Sequence, residues 1–172
     1  MSFSWTTPCS TSSALPGTSS SGRGCKTWPT RNISADCWSV RPGNEGHWRQ
    51  DLADREPDPP PFTTIAWRLA HIATVFGERA SNHFGNGSFD PAQVAWTGST
   101  DDALDIVTAE YTRWREGVRS LGEEGFFLPC GPAEGPYADE PFLMLVLHIN
   151  HEFLHHAAEV MLLRDLYRDA GA

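Results

Sequence analysis

Residues 141–168 read PFLMLVLHINHEFLHHAAEVMLLRDLYR. After its opening proline the stretch has no glycine or proline and keeps a helical pattern for roughly 28 residues, or about 42 Å at 1.5 Å per residue. Pro141 suits a first helical position, where the missing N–H costs nothing. Four of the seven histidines fall within LHINHEFLHH, 147–156. On a helix, His151 and His155 are one turn apart and share a face, the spacing that lets two imidazoles reach one ion. His148 and Glu159 lie on the same stripe, which continues through Met144, Leu147, Ala158 and Leu162 and is therefore expected to face the core. Imidazoles buried on an apolar stripe need partners. A divalent metal satisfies several of them at once.

A third ligand has to come from another helix. Thr63 or Thr64 can cap one that runs to about Asn82, with Ile65, Leu69, Ile72, Val75 and Phe76 as its apolar stripe. His71 lies on that helix, in line with Thr64, Trp67, Arg68 and Val75, and a long bundle can bring it level with His151 and His155. Three protein ligands with an open fourth position describe a catalytic zinc site and not a structural one. HFGNGSFDP, 83–91, reads as a turn. Ser99 or Thr100 then caps DDALDIVTAEYTRWREGVRSL, 101–121, with acids in its first turn and Arg115 and Arg119 towards its end, as the macrodipole prefers. Gly122 is expected to stop it. The connector LPCGPAEGPYADE, 128–140, leads to the last helix. No convincing strand alternation occurs, so the class is all-α, most simply an antiparallel bundle.

The chain has 172 residues, enough for one domain and hardly two. Its 22 acidic against 13 basic residues give a formal net charge of −9, which argues against nucleic acid or an anionic membrane surface as partner. Cys9, Cys25, Cys37 and Cys130 are scattered without a C-x-x-C pair, as suits a reducing compartment. The start MSFSWTTPCS has no basic n-region or apolar h-region, and the longest apolar run, Phe142 to Leu147, is far short of a bilayer span. A cytoplasmic protein is expected.

His151-Glu152-Phe153-Leu154-His155 also spells H-E-x-x-H, the zincin hydrolase signature. The longer metzincin form would need Gly at Ala158 and His at Met161. Only 17 residues follow His155, too few for a further ligand helix, and no substrate-aligning edge strand is evident. A metallohydrolase is therefore the third reading, behind a metal-dependent enzyme of another kind and a non-catalytic metal-binding stress protein.

WRLAHI, 67–72, followed about 80 residues later by HINHEFLHHAAEVMLLRDLY, 148–167, resembles the DinB-like superfamily of metal-binding four-helix bundles. CWSVRP, 37–42, and PPPFTTIAWRLAHI, 59–72, are similar to its actinobacterial branch, neighbours of mycothiol-dependent maleylpyruvate isomerases. The resemblance covers about residues 36–170. It implies zinc or nickel held by a histidine of an early helix and an H-x-x-x-H pair of the last, here His71, His151 and His155. The related isomerases place a carboxylate at one of these positions, where this reading has histidine at all three. It also implies a thiol-dependent transferase or isomerase using mycothiol or a similar low-molecular-weight thiol on a small electrophile. The ion would hold the thiol as thiolate. His148, Glu152 and Glu159 are then candidates to orient ligands or carry a proton, and Arg68 or Arg164 to meet a substrate carboxylate. Trp67 and Trp114 are expected in the core. Monomers and homodimers both fit the resemblance.

The bundle of that family needs a helix ahead of CWSVRP. Residues 1–35 contain no Asp or Glu, and 15 of them are Ser or Thr, so they hold no helical period. Two readings stand for this segment, set apart from the 36–172 bundle domain. One is a disordered Ser/Thr-rich tail. The other is a frame-shifted first helix: GC-rich codons for WTTPCSTSS, read two bases on, give DDPLLDQL, acidic and leucine-rich as a leading bundle helix should be.

Overall fold

The computed structural model describes residues 37–53 and 58–170. The 1–35 segment lies outside them. Helices dominate: α1, Ile65–Phe84; α2, Thr100–Ser120; a single turn α3, Gly122–Gly125; and α4, Phe142–Asp169. The capping residues act as their chemistry dictates. Thr64 accepts from the Trp67 amide and Ser99 from the Asp102 amide, each satisfying a donor that the first turn leaves free. Pro141 stands one position earlier than expected, as the N-cap of α4. Gly122 has φ +65 and opens α3, so the chain turns there and re-enters helix at once.

Four very short strands were not anticipated, because two or three residues cannot show an alternation. β1, Cys37–Trp38, pairs in parallel with β4, Phe62–Thr63; β2, Val40–Pro42, pairs antiparallel with β3, Trp48–Gln50. Together they clamp the start of α1. The Ser39 amide donates to Asp51 Oδ2 at 2.8 Å, Arg41 pairs with the same oxygen at 2.7 Å, and the Trp67 indole N–H donates to the Asp51 carbonyl at 2.8 Å. Thr64 Oγ1 donates to Ser39 Oγ at 3.0 Å.

α1 is the central helix. Its small residues Ala66, Ala70, Ala73, Gly77 and Ala80 recur at helical spacing, are all buried, and admit α2 closely. Phe76 meets Tyr111 and Phe84 meets Trp114, at 5.3 and 5.7 Å between ring centroids, so α1 and α2 run parallel. This corrects the expectation of antiparallel neighbours. The connection 85–99 spans roughly 50 Å when extended, enough to return along a 20-residue helix of about 30 Å. α1 and α4 are antiparallel, with Phe84 beside Phe142, Phe76 beside Phe153 and His71 beside His156.

The main core gathers Ile72, Phe76, Ala80, Trp114, Phe142, Leu145 and Ile149; a smaller one holds Val40, Ala66, Ala70, Ala73 and Trp96. Trp114 is core, as expected. The buried residues of α4 are Phe142, Leu145 and Ile149. The stripe expected inside is therefore outside: Met144, Leu147, His148, His151, His155, Ala158 and Leu162 are all exposed among the described residues. α4 is apolar nearly all round, and α1 and α2 pack on the Leu145–Ile149 side.

Candidate metal centre

The Leu145–Ile149 stripe of α4 runs on through Glu152 and His156, one residue beyond His151 and His155. Those two side chains face α1 where His71 stands. One ligand atom each from His71, Glu152 and His156 lies within 4.8 Å of the others. His71 and His156 meet edge to face, ring centroids 4.7 Å apart and planes at 82°. Of the anticipated ligands, His71 is in the cluster. His151 and His155 stack on each other on the exposed side of α4, at 4.7 Å, and among the described residues no third donor joins them. The zincin arrangement, which needs that third ligand, is not formed.

Each member is held from behind. Trp67, half-buried, stacks on His71 at 5.0 Å with planes 8° apart, and its own N–H is tied to Asp51. The β-strand corner thereby fixes the His71 ring. Burial, with His156 close by, drives the His71 pKa down to about 4, so the ring is neutral and offers a lone pair at neutral pH. Neither of its ring nitrogens is hydrogen-bonded among the described residues. His156 Nδ1 lies 2.8 Å from Glu159 Oε2, which leaves Nε2 for the cluster, 3.6 Å from Glu152 Oε2. Burial lowers the His156 pKa as well.

Arg68, one residue from Trp67, pairs with Glu159, and its Nη1 lies 3.4 Å from His156 Nδ1. Its Nε is buried and has no partner among the described residues. A narrow crevice lined by Ile72, Val75, Phe76, Glu152, Phe153 and His156 opens beside the cluster. The other residues named from the sequence lie elsewhere: His148 is exposed on the far side of α4, and Arg164 pairs with its neighbour Asp165 at 3.0 Å.

Two imidazoles and a carboxylate from two helices match the donor set of zinc and related divalent ions. Neutral His71 and a His156 whose Nδ1 is engaged by a carboxylate are in the states such an ion requires. The residues present fit a divalent metal.

The profile of the DinB superfamily matches residues 30–160. The chain belongs to the DinB superfamily. Comparisons with curated proteins and with solved structures found no match. Membership accounts for the helical bundle. The pair that the structure brings to His71 lies one residue beyond the His151/His155 pair expected from the sequence. Glu152 and His156 are also four apart, and they are in phase with Leu145 and Ile149. That phase was the signal to follow.

Proposed function

We propose that this DinB-superfamily chain binds one divalent metal ion through His71, Glu152 and His156 and acts as a thiol-dependent transferase or isomerase on a small electrophile. The observation that carries the proposal is the convergence of three ligand atoms from α1 and α4, with the other face of His156 secured by Glu159. Held there, such an ion would supply Lewis acidity that favours the ionised form of a thiol such as mycothiol near neutral pH.

The chain's own groups do the rest. Glu159 keeps the His156 proton on Nδ1 and Trp67 sets the plane of His71. Ile72, Val75, Phe76 and Phe153 form an apolar wall that limits water beside the site. Arg68, paired with Glu159 and 3.4 Å from His156 Nδ1, places a cation beside the cluster. Glu152 replaces the third histidine of the sequence reading, and a carboxylate in the ligand set is the arrangement of the mycothiol-dependent isomerases that the chain resembles. This supports the isomerase-like branch over a zincin hydrolase.

Metal analysis tests the first half. Purified wild type should carry about one ion per chain, lost in His71→Ala and in Glu152→Gln/His156→Ala and kept in His151→Ala/His155→Ala. Metal-dependent consumption of mycothiol or a similar thiol against a panel of electrophiles tests the second. Bound metal without thiol turnover would leave a metal-binding stress protein as the function.

A further inference from the structure

Glu159 is engaged by two helices at once. Its Oε2 lies 2.8 Å from Nδ1 of His156, three residues earlier on α4, and the same oxygen accepts from Nη1 of Arg68 on α1. Arg68 stands three residues before His71, so one turn of α1 carries both a candidate ligand and the group that reaches behind another. The two members of the ion pair are unequally buried: the Arg68 side chain is 14% exposed and that of Glu159 44%. A carboxylate that open to water does not hold one position by itself, because fixing a glutamate side chain costs rotamer entropy. The guanidinium, largely withdrawn from water, requires its counter-charge and so holds the carboxylate in place.

A neutral imidazole carries its proton on either nitrogen, and the hydrogen bond made at one decides whether the other is a free lone pair. At Nδ1 of His156 two groups make opposite demands. Ionised Glu159 is an acceptor only and favours a proton there. Arg68 is a donor only, with Nη1 3.4 Å away, and favours a lone pair there. The shared oxygen settles the contest, because Nη1 is directed to Glu159 and not to the ring. Nδ1–H then donates to Glu159, and the lone pair is left on Nε2, 3.6 Å from Glu152 Oε2. With Glu159 removed, the same guanidinium favours the opposite tautomer, whose proton sits on the nitrogen that has to be the ligand.

We propose that Arg68 is a positioning residue of the centre, an inference that rests on the reading of His71, Glu152 and His156 as ligands: by clamping Glu159 it holds the His156 proton on Nδ1 and keeps Nε2 open for the ion. The effect of Arg68 therefore depends on Glu159 and reverses without it.

Nitrogen NMR on the full chain with isotope-labelled histidine rings, in EDTA and at mildly alkaline pH where imidazoles are neutral, tests this. The His156 signals are assigned by their loss in His156→Gln. Wild type should show the Nδ1–H form. Arg68→Met should give a mixture of tautomers, and Arg68→Lys, which keeps a cation for Glu159, should recover much of the Nδ1–H form. Glu159→Ala should move the ring to the Nε2–H form, and Arg68→Met/Glu159→Ala should return it to a mixture. The double variant removes both members of the pair and leaves no uncompensated charge, so its comparison with wild type stands even where a single variant does not fold. Zinc affinity, measured by competition with a chromophoric chelator, should show the same reversal, the double variant binding about tenfold more tightly than Glu159→Ala. An Nδ1–H population unchanged in Arg68→Met would overturn the proposal, as would a double variant with the wild-type tautomer or with that of Glu159→Ala. The tautomer is read without metal. A chain that shows this ordering but takes up no zinc would refute the metal reading alone; one that binds zinc through His71 and His156 with a tautomer indifferent to Arg68 would refute this proposal alone.

Discussion

Trp67 lies flat against His71, the two rings 5.0 Å apart and within 8° of parallel. An indole in this position reports on whatever the imidazole binds. Nickel or cobalt bound at His71 should quench the Trp67 share of the fluorescence. Trp67→Phe should remove the metal-dependent part of the quench while leaving the other six tryptophans unaffected. An equal quench in the variant would place the ion away from His71.

Glu159 acts through His156. Without its carboxylate the ring is free to turn and exchange tautomers, and outer-shell losses of this kind weaken metal affinity by about 10–100-fold. Glu159→Ala should show that loss in a competition titration with a chromophoric chelator, and Glu159→Gln, which can still accept a hydrogen bond, should recover much of it. Affinity unchanged in the alanine variant would detach Glu159 from the centre.

The metal-free protein should weaken as the pH falls from about 6.5 towards 4. His71 is held neutral when folded, with its pKa at about 4, and takes up its proton readily once unfolded. The unfolded state therefore binds more protons across that window. The stabilisation is complete above the unfolded value and disappears as the pH passes through the folded one. In EDTA, the thermal midpoint of wild type should therefore fall relative to that of His71→Leu on acidification. A constant gap between them would mean that the ring does not titrate as its surroundings dictate.

Gly117 sits inside α2 where alanine would ordinarily help the helix by about 0.5–1 kcal/mol. Here a Cβ would overlap the Phe84 ring, against which α2 packs. Overpacking costs about 1–3 kcal/mol and should outweigh the propensity gain. Gly117→Ala is therefore expected to lower the denaturation midpoint, and a rise would show that Phe84 can move aside.

Helix ends were legible in the chain because capping is local chemistry: Thr64, Ser99 and the Pro141 region each act within one turn. The phase of α4 was not. Its apolar residues surround the helix, and two ligand pairs, His151 with His155 and Glu152 with His156, follow the same spacing one residue apart. Only the burial of Leu145 and Ile149 against α1 chooses between them. The parallel run of α1 and α2 was hidden for a different reason, since the 85–99 connection is long enough for either direction. The β corner was missed because strands of two or three residues leave no period, although CWSVRP lies within it.

The antiparallel seating of α1 on α4 sets His71 against His156, 85 positions apart in the chain. An ion held between them would be a cross-link as well as a reagent. It would close a loop containing α2, α3 and both long connections, and so act on the unfolded chain much as a disulfide of that span does. Demetallation would then loosen the whole bundle, and hydrogen exchange would quicken in α2, which supplies no ligand at all.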